Sequence, residues 1–112
     1  MRLTGSFPAR VRATDGPTFE GTVTVVNDSG RRVEGLAASR PDVTVLQEGR
    51  IVAGPLPRDE VGLQLDLAPG ARRELAAAGG LPLAPGRYEI RAVLPIVGEE
   101  PAAGGPWSLE VV

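Results

Sequence analysis

The sequence predicts an all-β fold, an antiparallel β-sandwich of about seven to eight short strands. Apolar and polar residues alternate with a period of 2 along most of the chain, and turn residues separate these runs. The 112 residues include 15 Gly and 11 Pro, which is typical of many strands joined by turns. Only 4% of the residues are aromatic, so the core must consist mainly of Val, Leu, Ile and Ala. At this length we expect one domain spanning residues 1–112.

The period-2 pattern predicts strands at residues 11–13, 19–26, 31–36, 43–46, 51–52, 61–67, 87–94 and 107–112. Residues 43–52 read as a hairpin in which Gly49 takes the positive φ of the turn. Residues 71–78 have the composition of a helix, but their place between two turns favours a short strand, and both alternatives stay open. Residues 37–42, 53–60 and 95–106 are expected to be irregular, and the last is expected to be the most mobile.

Two Pro-Gly pairs, Pro69-Gly70 and Pro85-Gly86, have the residues that a type II turn prefers. Tyr88 follows the second pair at the start of a strand, which is typical of the tyrosine corner of immunoglobulin-like sandwiches. We therefore expect the Tyr88 side chain to be buried, with its hydroxyl bonded to backbone in the 83–86 region. Trp107 shares a strand face with Leu109 and Val111 and is expected to be the large core residue.

Composition argues against most catalytic and metal chemistry. The chain contains no Cys and no His, which removes the usual zinc ligands and the Ser-His and Cys-His nucleophile pairs. The 14 Asp and Glu residues lie mostly on the solvent side of strands or in turns. No catalytic, cofactor or metal site is therefore expected, and the chain is expected not to be an enzyme.

Net charge and hydropathy restrict the partners. The net charge of −2 argues against binding to nucleic acid. The absence of a long apolar stretch argues against insertion into a membrane. The expected partner is a protein whose identity the sequence leaves open, as it does the oligomeric state. The cytoplasm is favoured if Met1 is the native start, and an extracytoplasmic location if the chain is a trimmed domain.

Several motifs follow one another in a fixed order: Val25-Val26-Asn27-Asp28-Ser29, then Val33, the hairpin from Val45 to Val52, Leu67-Ala68-Pro69-Gly70, and Pro85-Gly86-Arg87-Tyr88. This order resembles the intracellular proteinase inhibitor family of the BsuPI type. The resemblance spans about residues 19–94. It implies an immunoglobulin-like sandwich that acts by binding a proteinase.

The segment 54–60 is the candidate contact for a protein partner, through Pro55, Leu56, Pro57 and Arg58. Two prolines restrict the backbone, so little conformational entropy is lost on binding. The competing interpretation is a rigid connection with Leu56 packed against the core. A second contact at 95–106, with Ile96 and Val97 exposed, and a sugar platform at Trp107 are less favoured alternatives.

These observations favour a non-enzymatic protein-binding module, with proteinase inhibition as the specific activity that the resemblance implies. The alternative is a structural or accessory immunoglobulin-like domain of a larger cell-envelope or secreted bacterial protein.

Overall fold

The computed structural model describes residues 1–57 and 62–112. These residues contain ten strands and no helix, so the predicted all-β, sandwich-like fold class is confirmed. The strands are β1 (Arg2–Ser6), β2 (Arg10–Val11), β3 (Thr18–Val26), β4 (Val33–Ala38), β5 (Asp42–Gln47), β6 (Arg50–Ala53), β7 (Gly62–Leu67), β8 (Arg72–Gly80), β9 (Gly86–Leu94) and β10 (Ala102–Val111).

The strands form one large curled sheet and one small sheet. The large sheet has the order β6-β5-β9-β10-β1-β3-β8, with β2 beside β10, and the small sheet pairs β4 with β7. Pairing is antiparallel except where β10 runs parallel to β1 and to β2. The curl brings β8 back toward β5, so that a methyl group built on Gly79 would lie 3.0 Å from the Cγ1 atom of Val43. The apolar faces therefore enclose one core.

Aliphatic side chains from both sheets fill this core, as the composition predicts. Val23, Val45, Leu65 and Ile90 are completely buried and come from β3, β5, β7 and β9. Because apolar residues alternate along each strand, one face of every long strand contributes to the cluster while the other meets solvent.

The prediction of the first strand was wrong, since the chain begins with β1 and contributes only the two-residue β2 near residue 11. β1 has a weak pattern because only Leu3 is a large apolar residue on its inward face. Gly5 is the other inward residue, and a methyl group on it would lie 2.7 Å from the Cζ2 atom of Trp107. The glycine leaves room for the indole, and the strand therefore lacks the usual apolar alternation.

Residues 71–78 resolve the strand-or-helix alternative in favour of the strand. β8 pairs with β3 along its whole length, from Gly80 opposite Thr18 to Arg72 opposite Val26. Leu75 and Ala77 face the core. The long ladder and the burial of one face override a local helical propensity worth only tenths of a kcal/mol per residue.

The segment 95–106, which we expected to be irregular, contains no regular strand at 95–101, but from Ala102 onward it belongs to β10, so the expectation was wrong for its second part. β10 begins at Ala102, which is completely buried, and Ile96 is only 5% exposed. Ile96 forms a β-bridge with Ala37 of β4. The Gly-rich stretch lies at an irregularity in the β9–β10 ladder between Gly104 and Trp107, so its composition marks a bulge rather than a loose loop.

The two Pro-Gly pairs adopt different conformations. Pro69-Gly70 forms the predicted type II turn, with Gly70 at φ +79° and the Ala71 amide donating to the Ala68 carbonyl at 2.9 Å. Pro85-Gly86 does not: Gly86 has φ 159° and already pairs with Val111 as the first residue of β9. A type II turn needs φ near +80° at the glycine, so the prediction was wrong at the second pair.

Tyr88 makes the hydrogen bond that we expected from the sequence. Its hydroxyl donates to the carbonyl oxygen of Ala84 at 2.6 Å, and the residue is 6% exposed. The bond ties the segment before β9 to the inner face of the strand. Pro85 and Gly86 therefore connect the Ala84 carbonyl to the strand without being a turn themselves.

Candidate protein-binding surface

The predicted contact segment begins where β6 ends. Pro55 and Pro57 are exposed, whereas Leu56 is half-buried. Leu56 and Pro57 line a depression of about 10 Å³ together with Arg40, Pro41 and Ala78. This space is about the size of one water molecule, so Leu56 nearly fills the gap between the β4–β5 connection and β8. The fourth predicted contact residue, Arg58, lies outside the described residues.

Two of the exposed large apolar side chains lie just before this segment, on β6. Ile51 is 67% exposed and Val52 is 48% exposed. Two adjacent apolar residues on a four-residue strand cannot both face the core, because successive side chains point to opposite faces. The hairpin predicted from the sequence sets Ile51 and Val52 against Val43 and Val45, whereas the observed register sets Ile51 opposite Leu46 and Ala53 opposite Val45.

The hairpin that carries β6 has the predicted turn. Gln47 pairs with Arg50 across Glu48 and Gly49, which have φ values of 52° and 79°. Positive φ at both central residues is typical of a type I′ turn. The ladder then shifts register between Val45 and Leu46, so β6 carries an irregularity opposite the middle of β5. The turn places Ile51 opposite Leu46, and the shift beyond that pair leaves Val52 as the extra residue, with Ala53 opposite Val45.

A broad groove lies on the outer face of the large sheet next to this hairpin. Its volume is about 490 Å³ and its walls include Leu46, Gln47, Arg87, Glu89, Ser108 and Glu110. Arg10 approaches Glu110 at 2.9 Å along its rim. The groove is open and carries charges of both signs. Its size and position make it a possible extension of a contact centred on β6.

Ion pairs organise the opposite part of the molecule, between the β3–β4 connection and residues 97–101. The guanidinium of Arg31 donates to both carboxylate oxygens of Glu99, with an Nη1 to Oε1 distance of 3.0 Å. These hydrogen bonds lower the pKa of Glu99 and raise that of Arg31. Backbone hydrogen bonds from the Ala38 amide to Pro95 and from the Val97 amide to Leu36 hold this segment against β4, and the Arg31–Glu99 pair joins it to the β3–β4 connection.

Two further groups of charges act in the same region. The N-terminal amino group lies 3.2 Å from the Oδ1 atom of Asp28, and this hydrogen bond holds the pKa of Asp28 below its ordinary value. Arg32 donates to Asp66 on β7 at 2.8 Å, which raises the pKa of the guanidinium. Both contacts join neighbouring strands on the surface, and we assign them a structural role.

The second proposed contact, at 95–106, presents only one of the two expected side chains. Ile96 is buried, which corrects the expectation that it is exposed, and Val97 is 71% exposed. The Val97 amide donates to the Leu36 carbonyl at 2.9 Å, so Val97 and the exposed Leu36 are neighbours across the two segments. This apolar pair lies on the outer side of the small sheet.

Trp107 is half-buried and packs against the core, so it is not the fully enclosed residue that we expected. Its ring centroid lies 5.2 Å from that of Phe7, and Phe7 meets Phe19 edge to face at 6.0 Å. The aromatic group rests on glycines: methyl groups on Gly5, Gly21 or Gly79 would collide with these rings. The indole therefore has a packing role, and its contacts offer no argument for a sugar platform.

Asn27 is a structural residue whose role was not evident from the sequence. It is completely buried, and its side-chain amide donates to the carbonyl oxygens of Arg31, Leu67 and Ala68. Its Oδ1 atom accepts hydrogen bonds from the amide and hydroxyl of Ser29. In the sequence Asn27 shows only the composition of a turn, Asn27-Asp28-Ser29-Gly30, because its long-range partners Leu67 and Ala68 lie 40 and 41 positions away.

Residues 1–57 and 62–112 contain no group of three or more Asp and Glu side chains placed to hold a metal ion. Within the same ranges, no helix has the length and hydropathy needed to cross a membrane.

Comparisons with known proteins identify the fold but no family. No protein-family model matches the chain, and no curated protein matches it. Among solved structures, a β-glucosidase from Listeria innocua in complex with isofagomine matches with a TM-score of 0.51 and 15% identity, over 98% of this chain and 16% of that chain. A β-glucosidase from Erythrobacter marinus matches with a TM-score of 0.50 and 13% identity, over 100% of this chain and 15% of that chain. The chain thus spans about a sixth of the proteins it matches, and at these identities the likeness shows the fold alone.

Proposed function

We propose that this domain is a non-enzymatic protein-binding module. The observation that carries the proposal is the continuous exposed segment formed by β6 and residues 54–57. Ile51 and Val52 present apolar side chains to solvent, and Pro55 and Pro57 restrict the backbone that follows. Exposed apolar residues joined in one segment are typical of protein-interaction sites, and a restricted backbone lowers the entropy lost on binding.

Within this proposal the contact residues divide into two roles. Ile51 and Val52 are the apolar anchors, because they are the large aliphatic side chains that this segment exposes to solvent. Leu56 supports the segment from beneath by packing between Pro41 and Ala78. Pro55, Pro57 and Arg58 remain the proposed contacts after β6. Protein is favoured over nucleic acid as the partner because the net charge is −2.

Proteinase inhibition is the specific activity that we propose for this surface. The support is the order of motifs that resembles the BsuPI-type inhibitors, together with a stiff segment able to lie across a proteinase. Tyr88 adds a tyrosine corner to the proposed immunoglobulin-like scaffold, since its hydroxyl binds the Ala84 carbonyl next to the strand.

The second candidate function is that of an accessory domain in a longer protein. The observation that favours it is that similar folds make up 15–16% of the β-glucosidase chains. In that case β6 and residues 54–57 would contact a neighbouring domain of the same polypeptide. A longer parent reading frame would support this candidate, and a short complete frame would support the stand-alone binder.

The experiment compares the wild-type domain with a variant carrying Ile51→Ser and Val52→Ser. Each is immobilised, exposed to a lysate of the source cells, and cross-linked before mass spectrometry of the retained proteins. Each is also titrated against a panel of serine proteinases with a peptide substrate. We expect a partner that only the wild type retains, and stoichiometric inhibition if that partner is a proteinase.

A matched control is the Thr24→Ser variant, which changes a half-buried residue on β3, far along the sheet order from β6. It should retain the partner as the wild type does. Retention of the same proteins by all three forms, or of none by the wild type, would contradict the proposed function.

A further inference from the structure

β6 is an end strand of the large sheet whose outer edge no other described strand covers. The comparable edges are approached by neighbouring segments. Outside β4, the Ala38 amide donates to the Pro95 carbonyl at 3.1 Å. At β8, the Arg73 side chain donates to the Gln64 carbonyl of β7 at 3.3 Å. β6 thus combines an outer edge that no described strand covers with two exposed apolar side chains.

The hydrogen-bonding groups at this edge follow from the register. Gln47 and Arg50 flank a two-residue turn, so they form a hydrogen-bonded pair. The next pair, Leu46 and Ile51, is then of the non-hydrogen-bonded kind, because the two kinds alternate along an antiparallel ladder. The amide and carbonyl of Ile51 consequently point away from β5, toward the open edge.

A turn at one end of β6 and two prolines beyond the other end limit the length over which this edge can pair. At one end the type I′ turn reverses the chain at Glu48 and Gly49. At the other end Pro55 and Pro57 lack the amide hydrogen that an added strand would need. β6 is four residues long and its register shifts after the Leu46–Ile51 pair, so the edge offers the amide and carbonyl of Ile51 and can accept only a short added segment.

Two arginines indicate the charge of that segment. Arg50 begins β6, and Arg40 lines the depression that holds Leu56 and Pro57 at the far end. Neither is among the ion pairs formed by the described residues, while Arg31 and Arg32 each hold a carboxylate. Arg50, which lies near the exposed Glu48 of the turn, and Arg40 place one guanidinium at each end of the apolar edge, and each can pair with an acidic residue of an extended apolar segment.

We propose that β6 accepts such a segment from a partner protein as an added β-strand, with the partner's backbone bonded to Ile51 and its acidic residues beside Arg50 and Arg40. The inference rests on the proposed protein-binding function and specifies its mode. The backbone hydrogen bonds supply affinity. Contacts between the partner's side chains and Ile51 and Val52 select the sequence of the added segment. Repulsion from Arg50 and Arg40 should weaken the binding of an apolar segment with basic ends.

Ile51→Pro tests the backbone bonds directly. A proline at this position removes an amide hydrogen that faces solvent, so the β5–β6 ladder keeps its own bonds. Ile51→Thr is the matched control, because it keeps the amide and the branched side chain. Urea unfolding of both variants establishes that each remains folded.

The probe is a displayed library of random ten-residue peptides, selected on the wild type and counter-selected on the Ile51→Pro variant. We expect enriched peptides with alternating apolar residues and Asp or Glu at both ends. A synthetic peptide of that sequence should shift the amide resonance of Ile51, bind about tenfold more weakly to Ile51→Pro, and bind Ile51→Thr within about threefold. N-methylation of the peptide at alternate residues should weaken binding by a similar factor without changing the protein.

Enriched peptides that bind both variants equally, or that carry basic ends, would overturn the added-strand proposal and leave the protein-binding function standing. Sedimentation that shows a dimer abolished by Ile51→Pro would assign the edge to a second copy of the chain instead. A wild type that enriches no peptide and retains no protein would remove both proposals.

Discussion

The side-chain amide of Asn27, at the end of β3, donates a hydrogen bond to the carbonyl oxygen of Leu67, at the end of β7, over 2.9 Å. The same two regions are joined through the backbone, because the Gly70 amide donates to the Asn27 carbonyl at 2.8 Å and the Asn27 amide to the Ala71 carbonyl at 2.9 Å. One buried polar side chain thus connects the large sheet to the small one. All its hydrogen-bonding groups are satisfied, which is the condition under which a buried amide stabilises a fold.

Asn27→Asp should lower the free energy of unfolding at neutral pH by about 3 kcal/mol. The carboxylate cannot donate to Arg31, Leu67 and Ala68, and it places a buried negative charge among their carbonyl oxygens. Urea unfolding measures the change. Gln64→Glu makes the same chemical substitution at an exposed position and should have little effect; a similar loss in both variants would contradict the role of Asn27.

Tyr88→Phe should lower the free energy of unfolding by about 1 kcal/mol, the usual net contribution of one buried hydrogen bond. The ring stays in place, but the Ala84 carbonyl loses the hydroxyl that it accepts from. Thermal and urea unfolding both measure the effect. A variant with the wild-type midpoint would show that the bond makes no net contribution.

Gly21→Ala should destabilise the domain by about 2 kcal/mol through overpacking. The added methyl group would lie 2.6 Å from the Ser6 carbonyl oxygen and would collide with the ring of Phe7. Gly54→Ala is the matched control, because nothing lies within 4 Å of a methyl group there. Equal urea midpoints for the two variants would contradict the packing of Phe7 against Gly21.

Acid should weaken the contact between Arg31 and Glu99. The hydrogen bond from Arg31 lowers the pKa of Glu99 below its ordinary value of 4.5. A carboxyl group with a lowered pKa stabilises the fold above that ordinary value, and the contribution is lost as the pH falls through the lowered pKa. Glu99→Gln should therefore reduce the fall in unfolding free energy below pH 4.5, as measured by urea unfolding at a series of pH values. Glu100→Gln, at the neighbouring exposed position, should leave the pH profile as in the wild type.

The two apolar residues on either side of Gly54 should respond differently to serine. Leu56→Ser should cost about 1 kcal/mol of stability because Leu56 is half-buried against Pro41 and Ala78. Ile51→Ser should change stability by less than about 0.5 kcal/mol, since the side chain is exposed, and should weaken partner binding. Urea unfolding and partner retention separate the two effects. If Leu56→Ser instead weakened partner binding and left stability unchanged, Leu56 would be a contact residue and not a packing residue.

The sequence predicts the fold class and most of the strands, because alternation is a direct consequence of one buried face. β3, β7 and β9 have clear alternation and were found at their expected places. β1 escaped prediction because its inward residue Gly5 is small to accommodate Trp107. The start of β10 escaped because a Gly-rich composition is shared by loops and bulges, and only the pairing with β9 distinguishes them.

The sequence indicates where on the chain the candidate surface lies, but not which of its residues contact a partner and which pack inward. The prolines at 55 and 57 predict a restricted segment. Which apolar residue is exposed depends on where the hairpin lies relative to β8 and the β4–β5 connection, and these segments are distant in sequence. The role of Asn27 likewise depends on carbonyl groups that only the folded chain brings together.

The parallel arrangement of β1 and β10 has a mechanical consequence. Arg2 pairs with Ala103, so Met1 leaves the sheet near the start of β10, while Val112 leaves it about 30 Å away at the other end of that strand. A force pulling the two ends apart would run along the strands and load the five residue pairs of the β1–β3 ladder in shear, together with the single pair of Arg2 and Ala103. Such a chain would resist stretching until the hydrogen bonds of this ladder broke together, instead of breaking one after another.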